Sequence, residues 1–117
     1  MTPPAAVFDD VADDYDSDPH HAVIAERLVA TLRPHRPRLV VDVATGTGFA
    51  ALAALRALAP ERILAVDLSP RMIAQAVAKS ATADPDGRID WRVAPAVPLD
   101  LVSDGTVDVV LCASALH

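Results

Sequence analysis

The sequence VVDVATGTGFAA, which spans residues 40–51, decides the fold of this chain. The run Leu39–Val43 is short and rich in branched aliphatic residues, which predicts a buried strand. Gly46 and Gly48 follow it, and the Ala- and Leu-rich stretch Ala50–Leu58 then predicts a helix. A strand that passes through a glycine turn into a helix exposes backbone N–H groups where a ligand can approach closely. The stretch therefore predicts a ligand-binding loop.

The rest of the chain alternates between helix and strand in the same way. Ser69 followed by Pro70 predicts the N-cap and first turn of a helix that runs to about Ser80. The other predicted elements are a helix over Ala22–Leu32 and strands over Ile63–Asp67, Ile89–Val93 and Val107–Cys112. This alternation predicts an α/β fold: a Rossmann-like partial parallel sheet of order 3-2-1-4 with helices on both faces.

Composition and charge restrict the class of protein. The chain has 117 residues, of which 52% are hydrophobic, so it can form one folded domain and is not disordered as a whole. Its net charge of −6 comes from residues 1–18, which contain six aspartates and no Lys or Arg. We therefore divide the chain into an acidic N-terminal segment, 1–18, and a domain, 19–117. The domain is electrically neutral, so no nucleic-acid partner is expected, and the basic stretch Arg33–Arg38 is interpreted as a solvated helix end and linker.

Cysteine content and hydropathy limit the compartment and the chemistry. Cys112 is the single cysteine, which excludes an intrachain disulfide and a cysteine-based zinc site, and no metal is expected. Its place in an apolar strand predicts a buried, unreactive side chain. No apolar run approaches the roughly 20 residues that span a bilayer. We therefore expect no membrane partner and a cytoplasmic protein.

Two aspartates identify the kind of ligand. Asp67 ends the second predicted strand, and in a parallel sheet it would lie beside the glycine loop at the carboxyl edge, where ligands bind. A carboxylate there can accept hydrogen bonds from both hydroxyls of a ribose, which predicts a nucleoside-containing cofactor. Residues 46–51 also satisfy the GxGxxA dinucleotide pattern, so NAD stays an alternative. Asp42 argues against it, because a fixed negative charge suits a cationic amino group better than a pyrophosphate.

Four segments of the chain carry recognisable motifs: Val41–Gly48, Ala65–Pro70, Asp104–Val110, and Phe8 to Asp16 with Tyr15. Together they resemble the class I S-adenosylmethionine-dependent methyltransferases. The segment Val41–Gly48 is similar to their glycine-rich motif in the form found in the C-methyltransferases of ubiquinone and menaquinone biosynthesis. Ala65–Pro70 is similar to the second motif, and Asp104–Val110 to the segment that begins strand four. Phe8 to Asp16, with Tyr15, resembles the N-terminal segment that lies over the cofactor in this family. The resemblance implies S-adenosyl-L-methionine as cofactor and a small molecule as methyl acceptor.

The resemblance also implies a role for each matching residue. The loop backbone at Gly46 and Gly48 would contact the methionine portion of the cofactor, with Ala44 in the place of the first glycine of the motif. Asp42 would orient the amino group, directly or through water. Asp67 would bind the ribose, Leu68 would pack on the adenine, and Tyr15 would close the pocket. No catalytic residue is assigned, because methyl transfer from a sulfonium depends mainly on proximity and orientation.

This chain departs from the family pattern in two further places. Ala94–Ala96 occupies the region where the family usually has an acidic residue that meets the adenine amino group. The chain ends at His117, after strand four, whereas the family fold continues. A second hypothesis is therefore a truncated, non-catalytic cofactor-binding or interaction module, completed by another chain or by self-association along strand 107–112.

Overall fold

The computed structural model describes residues 19–95 and 107–112 of the chain. The acidic N-terminal segment, which includes Tyr15, lies outside the described residues. So does the start of the segment Asp104–Val110. The helices are α1 (Pro19–Ala30), α2 (Phe49–Leu58) and α3 (Pro70–Ala83), with a short 3₁₀ turn over Arg33–His35. The strands are β1 (Leu39–Val43), β2 (Arg62–Asp67), β3 (Ile89–Val93) and β4 (Val109–Leu111).

The four strands form one parallel sheet in the order β3-β2-β1-β4. Val41 of β1 lies opposite Leu64 of β2 on one side and Val110 of β4 on the other. The predicted fold class and strand order are confirmed. Because all strands point the same way, the loops that follow β1 and β2 leave the sheet at the same edge.

The main core lies between the sheet and helices α1 and α2. Val29 of α1 and Ala51 and Ala54 of α2 are fully buried, and they belong to the same cluster as Val40 and Ile63 of the sheet. Alanine dominates the buried face of α2, so α1 can approach it closely without large side chains between them. A second, smaller cluster contains Val41, Leu64 and Val66. The central strands β1 and β2 are thus buried on both faces, as expected for a parallel sheet.

Asp108 fastens the amino end of β1 to the segment that leads into β4. Its Oδ2 accepts hydrogen bonds from the backbone N–H groups of Arg38, at 2.7 Å, and Leu39, at 3.0 Å. These bonds, first that of Leu39 and then that of Arg38, hold the pKa of the Asp108 carboxyl below its usual value. Since they fix the starts of two neighbouring strands, they also fix the register at their carboxyl ends.

The side chain of Asp84 accepts two backbone N–H groups at the start of β3. Its Oδ1 accepts the N–H of Arg88 at 2.9 Å, and its Oδ2 accepts that of Ile89 at 2.8 Å. Asp84 is buried, and its own backbone N–H donates to the carbonyl of Ser80 at the end of α3. A single side chain therefore links the end of a helix to the beginning of the next strand.

The structure differs from the sequence predictions at several element ends. The prediction that Cys112 is buried is wrong: it is exposed, because β4 ends at Leu111. Helix α1 begins at Pro19 and ends at Ala30, and a 3₁₀ turn follows at Arg33–His35. Pairing with another chain along 107–112 stays a prediction. Among the described residues no helix is both long and apolar enough to cross a bilayer.

Candidate functional site

The loop between β1 and α2 has an unusual backbone. Ala44, Gly46 and Gly48 all have positive φ angles, of 52°, 60° and 91°. The N–H of Thr45 donates to the carbonyl of Val66 at 2.8 Å, so the loop crosses from the end of β1 to the end of β2. The loop is thus folded across the carboxyl edge of the two central strands, where the sequence places it.

Asp67 joins this loop to the turn that begins α3. Its Oδ2 accepts the N–H of Gly46 at 2.8 Å, and its Oδ1 accepts the N–H of Ser69 at 2.9 Å. The side chain of Ser69 in turn accepts the N–H of Met72 and caps α3, as predicted. The structure therefore brings Asp67 and Gly46 together, and it adds a contact between them that the sequence did not predict.

Asp42 lies beneath the loop and is only 1% exposed. Its Oδ2 accepts a hydrogen bond from Thr45 Oγ1 at 2.6 Å, and the carboxylate also accepts the backbone N–H of Ala51 in the first turn of α2. Gly48, the N-cap of α2, has no side chain that could cap the helix, so Asp42 supplies the acceptor from β1. Burial raises the pKa of Asp42 to about 7, although both hydrogen bonds oppose this shift.

Replacing Asp42 by asparagine is expected to change how stability depends on pH. The carboxyl has a pKa of about 7 in the folded chain and an ordinary value of 3.8. Between these values the folded state holds one more proton than the unfolded state, so this group makes the fold less stable as pH rises. Its contribution should fall by up to roughly 1.4 kcal/mol per pH unit. Urea unfolding of both proteins from pH 4 to pH 8 measures this slope.

The other titrating groups are the same in both proteins, so their effects cancel when the two slopes are compared. A cost of the asparagine that does not depend on pH leaves the slope unchanged. Asp42→Asn should lose less stability than the unchanged chain as pH rises from about 4 to 7. Parallel stability curves for the two proteins would show that Asp42 is ionised throughout this range.

Gly48 is packed closely against β3 and α3. A Cβ atom at this position would lie 2.5 Å from Cη2 of Trp91 in β3 and 3.3 Å from Cβ of Ala76 in α3. The turn therefore needs glycine for two independent reasons, its φ of 91° and this close approach. It is the missing Cβ that allows α2 to start against β3 and α3.

A lysine that sequence reasoning missed also contacts the loop. Lys79 of α3 donates from Nζ to Thr47 Oγ1 at 3.2 Å, and the same ammonium lies 3.9 Å from the ring centroid of Phe49. Such a distance is within the range of a cation–π interaction. Lys79 and Thr47 are 32 positions apart, so no local pattern could predict the contact. Helix α3 thus supports the loop from the side.

Ala44 occupies a position that favours glycine. Its φ of 52° is left-handed, which costs a non-glycine residue roughly 1–2 kcal/mol. Ala44→Gly should therefore raise the free energy of unfolding, by about 0.5–1 kcal/mol after the larger chain entropy of glycine is subtracted. Thermal and urea unfolding measure it. Ala83→Gly, at the exposed end of α3, is the control and should be neutral or destabilising; equal effects of both changes would exclude strain at Ala44.

Leu68 follows Asp67 directly and is 46% exposed. A large apolar side chain at this edge of the sheet is available to a ligand, and it is the residue that the sequence predicts against an adenine. The described site thus contains Asp42, Ala44, Gly46, Gly48, Asp67 and Leu68 around the carboxyl ends of β1 and β2. Tyr15 is outside the described residues.

Known proteins resemble this chain in sequence. The sequence model of a family described as methyltransferase domain matches residues 40–117. The demethylmenaquinone methyltransferase of Bacteroides fragilis is 34% identical over 73 residues, which cover 57% of this chain and 30% of that protein. The chain thus spans less than a third of this curated relative.

Two solved structures share the fold. A putative O-methyltransferase from Nostoc punctiforme superposes with a TM-score of 0.76 at 19% identity, over 94% of this chain and 32% of that one. The O-methyltransferase TomG from Streptomyces achromogenes, solved in complex with SAM, superposes with a TM-score of 0.65 at 19% identity, over 97% of this chain and 55% of that one.

Proposed function

Because this chain belongs to the methyltransferase-domain family, we propose that it binds S-adenosyl-L-methionine at the loop after β1 and transfers its methyl group to a small molecule. S-adenosyl-L-methionine is the cofactor of this family, as the sequence predicts. The observation that carries the proposal is the placement of Asp67 against Gly46 at the carboxyl ends of two adjacent parallel strands.

The residues at this edge fit such a cofactor. Each oxygen of Asp67 accepts one backbone N–H and keeps a further lone pair, so the carboxylate can also accept the two hydroxyls of a ribose. Leu68 offers an exposed apolar surface for the adenine. Gly48 leaves the backbone without a Cβ where the loop must stay compact. Polar, apolar and backbone contacts are therefore available side by side.

The cofactor supplies an electrophilic methyl group, and the chain binds and orients it. Asp42 is buried beneath the loop. We expect it to act through its hydrogen bonds to Thr45 and to the first turn of α2, which hold the loop in shape. The methyl acceptor is proposed to be a small molecule, since the balanced charge of residues 19–117 offers no general attraction for a polyanion.

Binding of the cofactor is tested by calorimetry. The chain should bind S-adenosyl-L-methionine and S-adenosylhomocysteine in one-to-one complexes and should not bind NAD. Absence of both complexes would overturn the proposal, and binding of NAD alone would replace it with the dinucleotide alternative. Calorimetry of binding alone does not test the acceptor, for which methyl transfer to candidate small molecules must be measured.

A leucine-to-serine change tests where the adenine binds. Leu68→Ser should weaken binding of S-adenosyl-L-methionine about tenfold, because burial of a leucine side chain is worth roughly 1.5 kcal/mol. Val77→Ser is the matched control, since Val77 on α3 is exposed to nearly the same extent, 48% against 46%. Equal affinities for the two variants would exclude Leu68 from the adenine site.

A further inference from the structure

A second concave region lies at the opposite edge of the sheet. It is a groove of about 460 Å³ between the segment before β1 and the turn before β2, and its lining consists of Arg33, Arg36, Pro37, Arg38, Ala57, Leu58, Ala59 and Glu61. Strands β1 and β2 begin here and end at the candidate cofactor loop. A five-residue strand is about 16 Å long, so the groove is a separate site.

The lining of the groove carries an excess of positive charge. It contains three arginines and one glutamate, and Glu61 pairs with Arg38 at 3.4 Å. Within residues 19–95 and 107–112, neither Arg33 nor Arg36 has an ion-pair partner. Both residues are exposed, and both line the groove.

The backbone on both sides of the groove is strained. Arg36 has φ 45° and ψ 59°, and Ala59 has φ 45° and ψ 51°. Each stands directly before a buried proline, Pro37 or Pro60, and the left-handed region costs roughly 1–2 kcal/mol for a residue with a side chain. Strained residues of this kind cluster at functional sites. Both residues are the C-caps of the helical segments that precede them, and both line the groove.

We propose that this groove binds the phosphate or diphosphate group of a small molecule. Guanidinium groups bind phosphate oxygens through paired N–H donors, and Arg33 and Arg36 together provide four or more such donors. Ala57 and Leu58 add apolar residues to the lining of the groove. The volume is within the range of small-molecule sites, which begins at roughly 300 Å³.

The left-handed backbone of Arg36 allows a test that distinguishes phosphate binding from a purely structural role of this arginine. Arg36→Gly removes the charge and relieves the left-handed strain together, so it should keep or raise the unfolding temperature while binding of inorganic pyrophosphate falls at least fivefold. Ala59→Gly is the matched control: it relieves the same strain at another lining residue, removes no charge, and should keep the affinity for pyrophosphate. Calorimetry at low salt measures binding, and thermal unfolding measures stability.

Further variants and ligands complete the test. Arg33→Gln should also weaken pyrophosphate binding severalfold without loss of fold, and 0.3 M NaCl should weaken it in the unchanged chain. No binding of pyrophosphate by the unchanged chain, or equal binding by Arg36→Gly, would overturn the proposal. Tighter binding of a single-stranded oligonucleotide than of pyrophosphate, also lost in Arg36→Gly, would contradict it in favour of a nucleic-acid contact. None of these outcomes depends on binding of S-adenosyl-L-methionine.

Discussion

Replacing Gly48 by alanine is expected to lower the free energy of unfolding by roughly 2–5 kcal/mol. Two effects add. The added Cβ would lie 2.5 Å from Cη2 of Trp91, so the indole or helix α2 must move. The φ of 91° is also unfavourable for any residue with a side chain. Because the loop and the start of α2 would shift together, binding of S-adenosyl-L-methionine should be lost as well.

Urea unfolding of Gly48→Ala, compared with Gly87→Ala, measures the steric part of this effect. Gly87 also has a positive φ, of 66°, but a Cβ there would meet no atom within 4 Å. Gly87→Ala should therefore show only the backbone cost, roughly 1–2 kcal/mol. If the two variants lose equal stability, the closeness of Trp91 adds nothing to the cost of a Cβ at position 48.

A double variant separates the two effects at Gly48. Trp91→Leu removes the indole atoms that the new Cβ would meet, so Gly48→Ala should cost less stability in that background than in the unchanged chain. The remaining cost is the left-handed backbone. An undiminished cost would mean that Ala76, the next nearest neighbour at 3.3 Å, limits the space instead.

The sequence predicts the elements of this fold well because their signals are local. Strands β1 and β3 have the predicted bounds, since short apolar or alternating runs are delimited by prolines, glycines and turn residues. Element ends that depend on distant contacts were missed. Helix α3 continues past Ser80 to Ala83, where the buried side chain of Asp84 connects it to β3. Such a connection depends on the tertiary arrangement of both elements.

In the candidate site, too, some features follow from local sequence and others from contacts between distant residues. The positions of Gly46, Gly48 and Asp67 follow from the loop motif and from the parallel sheet, both of which can be predicted from the sequence. The contacts of Lys79 with Thr47 and of Trp91 with Gly48 join residues more than 30 positions apart. No pattern in one segment specifies them. They follow from the packing of α3 and β3 against the loop, which only the folded chain shows.

Asp67 shows how the structure changes a prediction about a single residue. A carboxylate at the end of a strand is expected from sequence to bind cofactor and to contribute little to the core. In the structure it is 8% exposed and accepts two backbone N–H groups from two different loops. Its removal leaves two donors without a partner, and unsatisfied buried groups cost about 1–3 kcal/mol each.

Asp67→Ala is therefore expected to weaken binding of S-adenosyl-L-methionine about 100-fold and to lower the free energy of unfolding by roughly 2–6 kcal/mol. The affinity falls because two hydrogen bonds to a charged acceptor are lost, and the stability falls because Gly46 and Ser69 lose theirs. Calorimetry measures the first effect and urea unfolding the second. Asp90→Ala removes a more exposed carboxylate from β3 and should change neither by much.

Asp67→Asn separates the two roles of this side chain. An amide oxygen can still accept one backbone N–H, but the amide nitrogen is a donor and would face the second one. The variant should recover part of the stability lost in Asp67→Ala and little of the cofactor affinity, since a ribose diol needs two acceptors. Each protein must be measured at a temperature where it is folded, so that unfolding does not lower the apparent affinity. If affinity survives in Asp67→Ala while stability falls as expected, Asp67 only fastens the loop to α3, and the cofactor binds elsewhere.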